Sequence, residues 1–180
     1  KIHPTTVPAI TSTHPRTAAP EAVGGNVRLA SFNVLNYFTT FTNGNTATGQ
    51  TGQGCSLGTS ITASNCRGAN NITEFQRQRT KIVEALAALN GDAIGLMEIQ
   101  NNGSVAAQNL VDALNTKVGA NTYAVVPDPA AGTGTDAIKV AIIYKPGKLT
   151  RVNAATTDTD AVFSRPPLAQ TFAASNGERF

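Results

Sequence analysis

Glu98 ends an apolar run, Ala93 to Met97, in the stretch GDAIGLMEIQNNG from Gly91 to Gly103, with Ile99 just beyond it. A lone carboxylate is almost never carried fully into a core unless something pairs with it. Glu98 therefore either emerges into solvent at a strand end or holds a cation. Asn33, in ASFNVLNYF, closes a second buriable run. A carboxylate and a carboxamide, without His or Cys, make an oxygen donor set that suits a hard divalent cation such as Mg²⁺. Such a cation keeps several waters and takes phosphate oxygens of a substrate as further ligands.

For this to work, the two residues must reach one place. VRLASFNVLNYF, from Val27, has the Val, Leu, Phe and Tyr content of a buried strand. NITEFQRQRTKIVEALAALNG follows as a helix, with Phe75, the stem of Arg79, Ile82, Val83, Leu86 and Leu89 on one face. Thr73 with Gln76 reads as its capping box and Gly91 as its stop. DAIGLMEI is the next strand, and a second helix runs from Val105 to Val118, with Ser104 as N-cap and Gly119 as terminator. TYAVVPD and IKVAIIYKP read as further strands, the latter ended by a turn at Lys145, Pro146 and Gly147. The tail from Leu149 is less periodic, with one more strand near Leu168 to Phe172. This order argues α/β with a mixed sheet. A strand, crossover helix and strand form a right-handed parallel unit, which brings the C-terminal ends of both strands, and so Asn33 and Glu98, to one rim.

The 180 residues suffice for one ordinary domain, and 14% charged against 41% hydrophobic residues permit a packed core. A net charge of +3 permits a polyanionic partner without demanding one. Cys55 and Cys66 flank a Gly, Ser and Thr-rich stretch without a nearby His; this favours a local disulfide clamping a loop over two free thiols, and with it an oxidising compartment and export. Residues 1–25, rich in Pro and Thr, read as an extended linker ahead of a domain at 26–180. No run approaches the length of a membrane span, and no signal peptide is visible. The chain starts without Met and reads as a piece of a longer secreted protein.

ASFNVLNYF, then RGANNITEFQRQRTKIVEAL, GDAIGLMEIQNNG, LVDALN and GTDAIKVAIIYKP, in this order from about Ala22 to Phe180, closely resembles the endonuclease/exonuclease/phosphatase superfamily. This is the DNase I-like fold, and within it the match is to secreted bacterial nucleases with an SFNVLNYF opening and a CRGAN loop. The resemblance implies a four-layered α/β sandwich, here its N-terminal portion, with mixed sheets flanked by helices. It also implies a divalent metal, Mg²⁺ with Mn²⁺ or Ca²⁺ as alternatives, and phosphodiester hydrolysis, with DNA favoured as the partner and no membrane. On it, Glu98 resembles the metal-binding glutamate and Asn33 the asparagine beside metal and scissile phosphate. Arg165, in SRPPLAQTF, is similar to a basic residue on a later strand that approaches the phosphate, and Asp136 falls near the substrate groove. Where this subgroup shows MEIENNG the chain has Gln100, which removes one charge beside the site and argues against a metal role for that position.

The family activates water with a histidine paired to an aspartate. The histidines here are His3 and His14, both in the linker, so no general base that titrates near neutrality lies in the folded region. The expectation is a chain with half of the metal and phosphate site, inactive and marginally stable alone. The alternatives are the same fold acting on phospholipid or sugar phosphates, and a binding module without catalysis. For Asn33 the alternative is an amide capping its own turn, for Arg77, Arg79 and Lys81 a solvated helix face, and for GTGTDA a mobile loop.

Overall fold

The structure is a computed structural model that describes residues 3–14, 17 and 24–180. Part of the expected linker lies outside these residues. Within 3–14 no helix or strand forms, and Val7 and Ile10 are exposed.

Strand β1 (Leu29–Tyr37) leads through a hairpin of β2 (Cys55–Leu57) and β3 (Ser60–Thr62), and a single 3-10 turn, into helix α1 (Ile72–Leu89). β4 (Ala93–Gln100) then runs parallel to β1, from Leu29 opposite Ala93 to Asn33 opposite Met97. Helix α2 (Val105–Val118) and the two-residue β5 (Ala124–Val125) precede β6 (Ile138–Tyr144), which is antiparallel to both β4 and β5. The sheet order is β1, β4, β6, β5. β7 (Leu149–Thr157) and β8 (Leu168–Ala174) form a separate antiparallel pair. This is a mixed α/β architecture with a four-stranded mixed sheet, as the strand and helix order implies.

The layers follow from where apolar residues fall. On one side of the sheet Ile94, Leu96, Ile99, Ala141 and Ile143 pack with Phe75, Ile82, Val83 and Leu86 of α1 and with Leu110, Val111 and Leu114 of α2. Fully burying each large aliphatic or aromatic side chain contributes about 1.5–3 kcal/mol, so this cluster carries most of the stability. On the other side Ala93 and Val126 meet Leu149, Ala155 and Phe172 of the β7–β8 pair. That pair leaves the outer face of β1 bare, with Leu29, Ser31 and Asn33 exposed.

Several boundaries differ from the sequence expectation. α1 is capped by Asn71, whose extended backbone lets Oδ1 accept the Glu74 N–H at 3.0 Å, while Glu74 Oε2 accepts the Asn70 N–H at 2.9 Å. This pair displaces the Thr73 and Gln76 box because it reaches the first orphan donors two residues earlier. The stop is Asn90, left-handed at φ 48°, rather than Gly91. Ser104 makes no side-chain cap; Asn102 Oδ1 instead accepts the Ala106 N–H at 3.1 Å. β7 is a full strand in the tail expected to be irregular. Its alternation is hidden because most of it is exposed and its register slips between Val152 and Thr156.

Asp92 closes the end of the sheet where β1 and β4 begin. Its carboxylate accepts the Arg28 N–H at 3.0 Å and the Lys145 ammonium at 3.1 Å. Burial alone raises this carboxyl, but the Arg28 N–H and the Lys145 charge outweigh it and hold the group below the usual carboxylate range. A carboxyl lowered in the folded state stabilises above its unfolded value, and that contribution is lost as pH falls through the folded value. Asp92→Asn should therefore cost about 1–3 kcal/mol at neutral pH. In urea melts against pH, the gap to the parent chain should close only in strong acid; a pH-independent gap would refute the assignment.

Candidate functional site

Ile94 and Leu96 of β4 face the helices. Strict alternation would send Glu98 to the same side. Instead Ile99 takes the next place in that cluster, and the phase changes at Glu98, whose backbone is left-handed at φ 63°. Both neighbouring strands record the slip. Pairing with β1 jumps from Asn33 opposite Met97 to Tyr37 opposite Ile99, and pairing with β6 jumps from Leu96 opposite Ala141 to Ile99 opposite Lys139. Glu98 is thus a bulge residue. The extra residue lets the apolar face resume at Ile99 and leaves the carboxylate half-buried at the strand end.

β1 carries the complementary distortion. Leu35 and Asn36 are both left-handed, at φ 51° and 49°. Asn33 Oδ1 accepts the Leu35 N–H at 2.8 Å, and Gln78 Nε2 of α1 donates to Leu35 O at 2.6 Å and Val34 O at 3.3 Å. Gly68 lies so close that a Cβ there would stand 2.3 Å from Asn36 O. The Asn36 N–H then donates to Glu98 Oε2 at 3.3 Å, which joins the two bulges. Beside them is a groove of about 400 Å³ lined by Leu35, Asn36, Gly68, Arg77, Gln78 and Lys81. Arg79 stands apart, stacked over Phe75 at 5.2 Å.

Asn33 and Glu98 therefore lie at the same end of adjacent parallel strands. Asn33 forms the local turn that was the alternative reading, and this decides how its amide is presented. With Oδ1 held by Leu35, Nδ2 makes no hydrogen bond to the described residues and remains a donor. Glu98 Oε1 likewise has no hydrogen-bond partner among them. Among the described residues no group of three or more His, Cys, Asp and Glu is arranged to hold a metal. One carboxylate with free lone pairs fits a hard cation that keeps waters and substrate oxygens, and does not fit an all-protein cage. Tyr37, packed beneath the rim, donates to Asn109 Oδ1 at 2.6 Å. Burial pushes its hydroxyl far above the ordinary value, outweighing the Arg79 charge, so it stays neutral.

The remaining candidates gather elsewhere. Arg165 sits on the β7–β8 connection, not on a strand, and its Nε lies 3.3 Å from Asp136 Oδ2. Arg67, which the sequence did not single out, lies 3.3 Å from Asp136 Oδ1. The one hint of Arg67 in the sequence is its place directly after Cys66. Cys55 and Cys66 are disulfide-bonded, as expected, and are buried against Phe38, Ala137 and Ile138 beneath a loop that is itself mostly exposed. Gln100 is also buried: Oε1 accepts the N–H groups of Thr39 at 2.8 Å and Thr40 at 3.1 Å, and Nε2 donates to Thr40 Oγ1 at 3.0 Å. That is a structural role. His3 and His14 are exposed in the N-terminal segment.

No family model matches the chain, and no curated protein matches it. Among solved structures, it is similar to the endonuclease/exonuclease/phosphatase from Bacteroides vulgatus, with a TM-score of 0.47 and 14% identity over 86% of this chain and 49% of that one. It is also similar to the human Nocturnin catalytic domain with bound sulfate anion, with a TM-score of 0.42 and 18% identity over 60% of this chain and 41% of that one. The chain thus spans half or less of each of these two solved structures.

The bulge makes a stability test possible. A left-handed conformation costs an L-residue about 1–2 kcal/mol, which Gly avoids. Glu98→Gly and Glu98→Ala both remove the carboxylate, but only Gly relieves the backbone. The Gly variant should be the more stable by about 1 kcal/mol in denaturant melts, despite the greater flexibility of Gly when unfolded. An Ala variant as stable as the Gly variant would show that Glu98 is unstrained.

Proposed function

We propose that this chain is the part of a secreted, metal-dependent phosphodiesterase that carries the cation-binding carboxylate, with DNA as the substrate. One observation supports the reading above all: Glu98 is lifted out of an apolar strand by a costly bulge and keeps an oxygen without a hydrogen-bond partner among the described residues. Strained positions of this kind cluster at functional sites. The ordered motifs from ASFNVLNYF to GTDAIKVAIIYKP agree with it. The buried disulfide suits an oxidising compartment, and among the described residues no helix is long and apolar enough to cross a membrane.

On this reading Glu98 holds Mg²⁺, or Mn²⁺ or Ca²⁺ in its place, through its free oxygen. The bound cation supplies neutralisation of the phosphate and of charge developing on the leaving oxygen. Asn33, anchored through Oδ1, presents Nδ2 as a hydrogen-bond donor to a phosphate oxygen; this makes it a phosphate contact before a metal ligand. Gln78 and Gly68 fix the β1 bulge so that both groups keep their direction. Arg165 serves the phosphate chain farther from the rim, with Asp136 steering it.

Titration of the chain with Mn²⁺ should show one site that Glu98→Gln weakens at least about 10-fold, the loss of one charged ligand being worth more than 1.4 kcal/mol. In a catalytically active form of the protein, the same substitution should lower Mg²⁺-dependent nicking of plasmid DNA about 100-fold or more. Unchanged metal binding would end the assignment of Glu98. Hydrolysis of a phospholipid headgroup in preference to DNA would move the substrate, and metal binding with hydrolysis of neither would favour a binding module.

A further inference from the structure

Three connections far apart in sequence meet beside the start of β6. Arg67 comes from directly after the disulfide loop, Asp136 from the segment before β6, and Arg165 from the β7–β8 connection. The carboxylate is the fixed member. Asp136 Oδ1 accepts the Ile138 N–H at 3.2 Å, and Asn101 Nδ2 donates at 3.0 Å to the backbone oxygens of both Gly134 and Asp136. Gly58 N–H donates to Thr135 O at 2.8 Å, tying this segment to the β2–β3 hairpin that the Cys55–Cys66 bond closes.

The arginines are the open members. Each touches Asp136 as an ion pair at 3.3 Å, and neither makes a hydrogen bond to any described residue. Their side chains are 37% and 45% exposed, against 18% for Asp136. One carboxylate thus serves two cations and leaves a net positive charge, with most of roughly ten guanidinium N–H donors unused. Exposed ion pairs contribute only about 0–1 kcal/mol, so stability alone does not account for the convergence. Paired planar guanidiniums are suited to a phosphate, which they bind through parallel N–H donors.

The geometry points to a second phosphate-binding site, made by Arg67 and Arg165 over Asp136, that grips the nucleic-acid backbone away from the Glu98 rim. Asp136 stands three residues before Lys139, the partner of Ile99, hence about 10 Å along the strand direction from the bulge. That spans about three nucleotide steps of about 3.4 Å. The inference rests on the phosphodiesterase reading for its ligand, and it assigns Asp136 to holding the arginines, because a carboxylate repels phosphate.

The test measures binding of a fluorescent 16-base-pair DNA duplex in EDTA over a series of NaCl concentrations, so that no metal at Glu98 contributes. Arg67→Gln with Arg165→Gln should weaken binding about 10-fold at low salt and lower the slope of log K against log salt by 1 to 2, while thermal melting stays unchanged. Lys148→Gln with Arg151→Gln makes the same charge change at the exposed start of β7 and should leave most of the affinity. Equal losses in the two double variants, or no loss at all, would overturn the site. A salt slope that responds as expected, in a protein whose active form never cleaves DNA with Mg²⁺, would instead overturn the hydrolase reading and leave the phosphate site standing.

Discussion

The left-handed turn of backbone at Glu98 is the constraint on which the rim depends. With an extended backbone, the pleat would carry its carboxylate among Leu96, Ile143 and the α2 leucines. An unpaired charge in such a cluster costs several kcal/mol or gives up its charge. A positive φ costs about 1–2 kcal/mol. The bulge is the smaller penalty, and it lets Ile99 complete the core. The same slip obliges β1 to find an irregular partner, which is why Leu35 and Asn36 turn left-handed opposite it and why the Asn36 N–H meets Glu98.

These distortions are held almost wholly by neutral amides. Asn33 and Gln78 fix the β1 turn, Gln100 gathers Thr39 and Thr40, Asn101 holds the segment before β6, and Asn102 caps α2. Each supplies both a donor and an acceptor, so irregular backbone is satisfied without adding charge. In the low-dielectric edge of the sheet this matters, because every fixed charge would shift its neighbours. Gln100 illustrates the point: as a carboxylate it would lack the donor that now reaches Thr40 and would bury a charge at a position 2% exposed.

Much of this could be read in the residues themselves. The amphipathic face of α1, the parallel β1 and β4, and the placement of Asn33 and Glu98 at one end follow from periodicity and chain handedness, and the cysteine pair from its local spacing. What could not be read depends on tertiary accommodation. The cap of α1 is the exception: Asn outranks Thr at an N-cap, and Asn71 with Glu74 has the same spacing as Thr73 with Gln76, so that boundary was legible in the residues. β7 lacks a two-residue period because little packs on it. The bulge at Glu98 leaves only a faint trace, an apolar residue following the charge where alternation asks for a polar one. Arg67 had only its place after Cys66 to mark it, since its partner Asp136 lies far along the chain.

The two ends of the sheet divide the work. Where β1 and β4 begin, Asp92 is saturated by Arg28 and Lys145, and Lys145 also reaches Asn90 Oδ1 at 2.7 Å and lies over the Tyr123 ring at 5.5 Å. Every strong group there has an internal partner, so that end stabilises and offers a ligand little. At the opposite end Glu98 Oε1, Asn33 Nδ2 and the guanidiniums of Arg67 and Arg165 have capacity left over. Negative charge sits at the bulge and surplus positive charge beside the start of β6. On the proposed reading, a cation and an extended polyanion would meet these two demands together, because each would neutralise what the protein leaves uncompensated.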